Sequence, residues 1–361
     1  MISNVVISDK DELTDVDISS LPPDFKFGAI FVNKNEHAYA KIRFDAQSID
    51  WFTDNLHKVS DAVTRAAIWR YFWMLVMDKQ TTSLKFIEFI QKQLPHENVE
   101  QIMAVGLMNL KGLIAYYIPS SLVQEKKDAL FETLVTLLAR EGVNKDPIVD
   151  QLFGFLSSQE NIQTALGWLE SGKVTAGDEQ LFEIQKKHKW AILKALFRSK
   201  HFATDIKMEL LEMTLGEDKS DLALQTRATC MASLPDPDVK ATIWAEITDP
   251  DSTESLYMRS AKINGFMSFE QLDLCEPYFD KFFDHVATMQ AKTSTKIFES
   301  FFFGLLPRMN ISDAHIVKLV ALKQDTPDNE KTFINTLQDG IELLVRSKQV
   351  RALCEEKAIN K

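Results

Sequence analysis

From Ser48 to the C-terminus the apolar residues return at a helical interval, and that stretch carries no sustained two-residue period of a strand. Ile68, Phe72, Leu75 and Val76 fall on one face of a helix that Ser60 can cap, while Trp69 and Trp73 cover a second face. This helix is therefore expected at the centre of the fold, buried on most sides. Leu84, Ile87, Ile90 and Leu94 stripe the next helix up to Pro95, and Ile334, Leu337, Ile341 and Leu344 stripe another near the C-terminus. Ser157 with Glu160 forms a candidate capping box, and Asp236-Pro237 and Thr326-Pro327 each place a cap before a proline suited to a first helical turn. Only 12 glycines and 11 prolines occur in 361 residues, well under the usual roughly 7% and 5%. That scarcity fits long helices joined by short turns and argues against glycine-loop nucleotide folds, collagen and disorder.

The first 45 residues depart from the helical pattern. Phe25, Phe27, Ala29 and Phe31 alternate with other residues, Asn33-Lys34-Asn35-Glu36 supplies a polar turn, and Ala38, Ala40, Ile42 and Phe44 alternate again. The spacing predicts a β-hairpin, and because a lone hairpin is marginal in water it is expected to pack on the helices or to end a larger sheet. The chain then divides into an extended segment, 1–45, the end of a β-sandwich-like domain, and a helical domain, 46–361, which no glycine-serine linker or charge block interrupts. Stacked helical pairs of about 40 residues account for the second part. The predicted fold class is all-α: a right-handed α-α superhelix of HEAT- or armadillo-like pairs with a short N-terminal β-hairpin remnant.

Charge and cysteine usage narrow the setting. Lys and Arg number 41 against 52 Asp and Glu, a net charge of −11, which opposes nucleic acid as the main partner because phosphate binding needs clustered positive charge. No apolar run reaches membrane-spanning length, so no membrane partner is expected. Residues 1–13 carry Asp9, Asp11 and Glu12 and lack the apolar core of a signal peptide. Cys230, Cys275 and Cys354 lie too far apart for a zinc knuckle and are odd in number, so a reducing, cytoplasmic location is expected.

Catalytic motifs are recognisable by the chemistry they require. The zinc-hydrolase pattern His-Glu-x-x-His has its nearest match in His96-Glu97-Asn98-Val99-Glu100, where the second imidazole is replaced by Glu and the acids suit a helix N-terminus. Gly167-Trp168-Leu169-Glu170-Ser171-Gly172-Lys173-Val174 fits seven of eight phosphate-loop positions, but Val174 has no oxygen for magnesium and the context reads as a helix closed by Gly172. No Gly-x-Ser-x-Gly elbow occurs, and Lys186-Lys187-His188-Lys189 reads as a solvated helix face. No catalytic, cofactor-binding or metal-ligating residue is assigned.

The strand Glu36-His37-Ala38-Tyr39-Ala40-Lys41-Ile42-Arg43-Phe44-Asp45, preceded by Asn33, resembles the junction where zinc aminopeptidases of the aminopeptidase N and puromycin-sensitive type pass from a β-sandwich into a C-terminal helical domain. Ile68-Trp69-Arg70-Tyr71-Phe72-Trp73, Tyr117-Ile118-Pro119, the stretch 227–236 with Trp244, and the stretches 257–266 and 327–351 continue the likeness, which covers roughly residues 33 to 361. The chain resembles the endoplasmic-reticulum-aminopeptidase-like C-terminal domain of that family. The catalytic domain of such enzymes carries His-Glu-x-x-His with a downstream Glu, a Gly-x-Met-Glu-Asn loop and an oxyanion-stabilising Tyr. None has a counterpart here, and Tyr39 sits at the junction instead.

The resemblance implies a noncatalytic helical bowl that covers an active site, as a fragment or a subunit of a zinc metalloaminopeptidase. Zinc is then expected in the associated catalytic domain, in the same or a separate chain, and peptides are the expected ligand. By residue type alone, Tyr117, Arg259 and Arg308 are the candidates for gripping a peptide's carboxylate end, since Arg can pair a carboxylate through two hydrogen bonds. The alternative is a free-standing HEAT-like interaction scaffold without peptidase activity.

Overall fold

The protein is described from a computed structural model that covers residues 16, 19, 21–22, 24–37 and 39–359. The readings made on residues 1–13 and on Ala38 lie outside them.

Helices dominate, as the periodicity predicts. The first eight are α1 (Ala46–Asn55), α2 (Ala62–Met77), α3 (Ser83–Gln93), α4 (Glu100–Gly112), α5 (Val123–Leu138), α6 (Lys145–Gly154), α7 (Gln159–Ser171) and α8 (Lys186–Arg198). They are followed by α9 (Thr204–Glu217), α10 (Asp221–Ala232), α11 (Pro237–Thr248), α12 (Leu256–Phe266), the short α13 (Leu272–Cys275), α14 (Pro277–Lys292), α15 (Thr295–Leu305), α16 (Asp313–Asp325) and the 29-residue α17 (Lys331–Ile359). A π-helical turn, Leu113–Tyr117, extends α4.

The helices form two rows. α2 packs on α4, α4 on α6, α6 on α8, α8 on α10, α10 on α12 and α12 on α15, so every second helix as far as α12 lies beside its counterpart and the last step passes over α13 and α14. The intervening helices flank this inner row: α5 rests on α6, α7 and α9 on α8, α11 on α10 and α12, and α14 on α15. α17 then closes the row onto its own start. Its first half shares a core with α15, where the rings of Phe298 and Phe333 meet at 5.5 Å. Its second half reaches α2, α3 and the π turn, and places Val350 in the core of the first ten helices.

Close packing of the inner row depends on glycine at its crossings. At Gly304 of α15 a Cβ would stand 2.2 Å from Ile263 of α12, so only a bare backbone lets these helices meet. The few glycines of this chain are therefore spent partly on helix contacts, not only on turns.

The C-terminal carbonyls of the inner helices end in the interior, where an unpaired acceptor is expensive. Side chains from the next elements meet them. Lys207 Nζ donates to the carbonyls of Phe197 and Ser199 at 3.2 and 2.6 Å, and Lys240 Nζ to those of Ala232 and Phe266 at 3.0 and 2.7 Å. Gln271 Nε2 bridges the carbonyls of Arg198 and Ser233 at 2.6 and 2.7 Å.

The predicted N-terminal hairpin is corrected. The turn is present, with the Glu36 amide donating to Asn33 at 2.9 Å, but the described residues of 25–44 form no strand ladder. Phe31, Ile42 and Phe44 turn instead onto the helices: Phe44 meets Phe52 at 5.1 Å and Phe31 meets Tyr71 at 6.2 Å, while Phe25, Ile30, Val32 and Tyr39 stay exposed. The alternation reported which side chains face α1 and α2, not a partner strand. The hairpin that does form, β1 (Lys173–Ala176) with β2 (Glu179–Glu183), follows α7 and turns through Gly177, whose φ is +55°. Its two-residue Gly177-Asp178 link was its sequence signal.

Helix starts shift by a residue where two capping residues adjoin. Asp61, not Ser60, caps α2, accepting from the Thr64 amide at 3.1 Å, and Ser158, not Ser157, caps α7. Asp236 caps α11 with Pro237 in its first turn as read, whereas Thr326 ends α16 and α17 starts only at Lys331. Gly172 closes α7 in the left-handed conformation at φ +72°. The three cysteines are buried free thiols, and no described helix is long and apolar enough to cross a membrane.

Candidate functional site

Along the inner row, from the end of α4 past α6, α8 and α10 to α12, runs a cavity of about 670 Å³ that segment 267–270 and Arg308 complete. Its charge is opposite to that of the chain. Lys111, Lys127, Lys194, Arg198 and Arg308 line it, against only two carboxylates, Asp150 and Glu270.

Each carboxylate is already committed. Glu270 pairs with Lys127 at 2.6 Å and lies 3.6 Å from Arg198 Nε, and it also accepts from the Ser268 hydroxyl. Burial opposes charge on both partners. At Glu270 the Lys127 and Arg198 charges outweigh it and hold the carboxyl far below the usual range, while at Lys127 burial wins and lowers the ammonium pKa. Asp150 turns outward, where Lys187 stands 2.9 Å and His188 Nε2 3.2 Å away.

Lys194 is left over. It sits one helical turn before Arg198 on α8, and among the described residues neither it nor Lys111 makes an ion pair or a hydrogen bond. Burial depresses the Lys194 pKa first, and the charges of Arg198 and Lys111 add to the effect, which also shows that the three cations share one neighbourhood. Lys111 reaches over α6 at Gly154, where a Cβ would lie 3.9 Å from its Cε. Leu222 and Tyr257, the latter 69% exposed, add apolar surface to the same wall.

The residues picked by type separate in space. Arg308 lines the cavity, held by Nη1 to the carbonyls of Phe303 and Gly304 at 3.0 and 3.2 Å, with its guanidinium 5.7 Å from the Tyr116 ring centre. Tyr117 is buried in the π turn, where its ring meets Trp73 edge-on at 5.9 Å; burial raises its pKa and Arg346 opposes the shift. Arg259 is 1% exposed and reaches only the Ser252 carbonyl, at 3.4 Å. Neither Tyr117 nor Arg259 lines the cavity. Reading by residue type missed Lys111 and Lys194. The available signal for Lys194 was its place in Trp190 to Phe197, a stretch in which it is the only charge.

The near-miss zinc string is taken apart by the fold. His96 ends a 3-10 turn and meets the His57 ring at 4.6 Å in a tilted pair, while Glu97 is buried against Arg65, with Nη2–Oε1 at 2.9 Å and Nε–Oε2 at 3.0 Å. Among the described residues no three His, Cys, Asp or Glu side chains gather as a metal-binding group. In the basic string 186–189, His188 is buried between Phe153 and Phe182, so that face is only partly solvated.

Residues 29–346 match the family model of the ERAP1-like C-terminal domain. The chain belongs to this family. An ERAP1-like C-terminal domain is therefore what the two helical rows and their cavity build, and it is a domain of aminopeptidases. The chain is 19% identical over 333 residues to aminopeptidase N of Streptomyces lividans, which takes in 91% of this chain and 38% of that protein. It thus spans well under half of that relative's length.

Proposed function

We propose that this chain is the noncatalytic C-terminal part of a zinc aminopeptidase, acting as a superhelical bowl that encloses the substrate chamber and binds or gates peptides. The cationic cavity carries the reading: a domain with a net charge of −11 concentrates positive side chains on the inner row, where a peptide's carboxylate can be received out of bulk water. Leu222 and Tyr257 offer apolar surface for neighbouring side chains, and Gln225 and Asn264 offer amides to the peptide backbone. Bond cleavage, and the zinc it uses, belong to a catalytic segment in the same or a separate chain, which would meet this one near the exposed apolar residues of 25–39. The three unpaired thiols support a reducing, cytoplasmic setting.

The test supplies the catalytic segment with and without this chain. Hydrolysis of peptides several residues long should change when the chain is present, while hydrolysis of a single aminoacyl amide changes little, because only the longer ligand reaches the cavity. Neither association nor a rate change with any substrate would leave the interaction-scaffold reading in its place.

A further inference from the structure

Five cations and two carboxylates line the cavity, an excess of three positive charges. The distribution of that excess says what it is for. Glu270 is consumed by Lys127 and Arg198, and Asp150 by Lys187 and His188 from outside, so the wall itself holds nothing for Lys111 or Lys194. Arg308 spends its Nη1 on helix carbonyls, while its buried Nε has no partner and its charge remains. Lys194 is half-buried, so its unpaired ammonium is partly dehydrated and disfavoured, and the simplest way to restore it is a carboxylate brought in by a ligand; Lys111 stays exposed to water and adds its charge to the same wall. One carboxylate, such as every peptide has at its C-terminus, would compensate only one of the three.

We propose that the cavity selects acidic peptides, taking aspartate or glutamate side chains of the ligand against Lys194 and Lys111. This rests on the peptide-binding reading above and adds the substrate class. Peptides rich in Lys or Arg are disfavoured by the same field.

The experiment titrates the full chain with four peptides of one length: two internal glutamates or the matching glutamines, each with a free or an amidated C-terminus. The glutamate pair should bind about tenfold more tightly than the glutamine pair at low salt, whether or not the end is amidated, and sodium chloride should erode the difference. Lys194→Gln with Lys111→Gln should abolish the preference, and Lys194→Arg should keep it. A melting temperature of the double variant no lower than that of the parent shows that the loss is not unfolding. Equal affinity for glutamate and glutamine peptides, or a preference set only by amidation, overturns the acidic-ligand inference while leaving peptide binding in place. Failure of all four peptides to bind overturns the peptide reading itself, and this inference with it.

Discussion

Gly265 of α12 lies directly against the backbone of α10: a Cβ there would stand 2.1 Å from the Thr229 carbonyl oxygen, and the Thr229 hydroxyl donates to the Ala261 carbonyl at 3.0 Å across the same crossing. These two helices form part of the cavity wall, so the approach that sets their spacing also sets its width.

Gly265→Ala should therefore push α12 off α10 and destabilise the chain by about 1–3 kcal/mol, since a backbone carbonyl cannot swing aside. Gly167→Ala, in α7 with open space around its Cβ position, should stabilise by about 0.5–1 kcal/mol through helix propensity. Denaturant midpoints of the two variants measure this contrast. Equal effects would mean that the α10–α12 crossing is looser than described.

Arg65 and Glu97 form a buried pair through two hydrogen bonds, and Arg65 Nη1 also reaches the carbonyls of Val59 and Ser60 at 2.8 and 3.0 Å. Removing one partner leaves the other charge dehydrated, so Glu97→Ala should cost about 3–5 kcal/mol. Chemical unfolding of the variant measures the loss, and a change below 1 kcal/mol would show that water reaches Arg65.

Alkaline stability should carry the signature of the buried lysine caps. Burial brings Lys207 and Lys240 from the ordinary 10.5 to about 8 in the folded chain. As pH falls from 10.5 to 8 the unfolded chain takes up these protons before the folded one does, so stability declines over that window and rises again with pH through it. Melting curves recorded between pH 8 and 10.5 should show this rise, and it should flatten when both lysines are replaced by methionine. An unchanged slope in the double variant would assign the rise to other groups.

Closure of the inner row can be tested covalently. Ser83 Oγ of α3 lies 3.0 Å from Cys354 Sγ of α17. Ser83→Cys should form a disulfide on oxidation and restrain a loop of 271 residues, raising stability by about 2–4 kcal/mol. Thiol titration should then find two reactive groups in the unfolded oxidised variant instead of four. Four thiols under oxidant would show that the α17 end does not stay on α3.

The helical class, the buried centre of α2 and the Asp236 cap of α11 could be read from residue order alone, because periodicity and capping chemistry are local: they need only neighbours within a turn or two. The aminopeptidase-type C-terminal domain was legible as well, through packing residues spread along the chain. Residues 25–44 show the limit of that legibility. Their alternation encodes one buried face, and whether a helix or a strand buries it is decided by what lies opposite; here Phe52 and Tyr71 do so. The cavity is further still from sequence. Lys111, Lys194 and Arg308 are far apart in the chain and become one positive wall only when the helices of the inner row align. Local order sets which segments coil and which faces avoid water, but electrostatic fields add up in space, so the tertiary path alone decided which charges found partners and which were left without one.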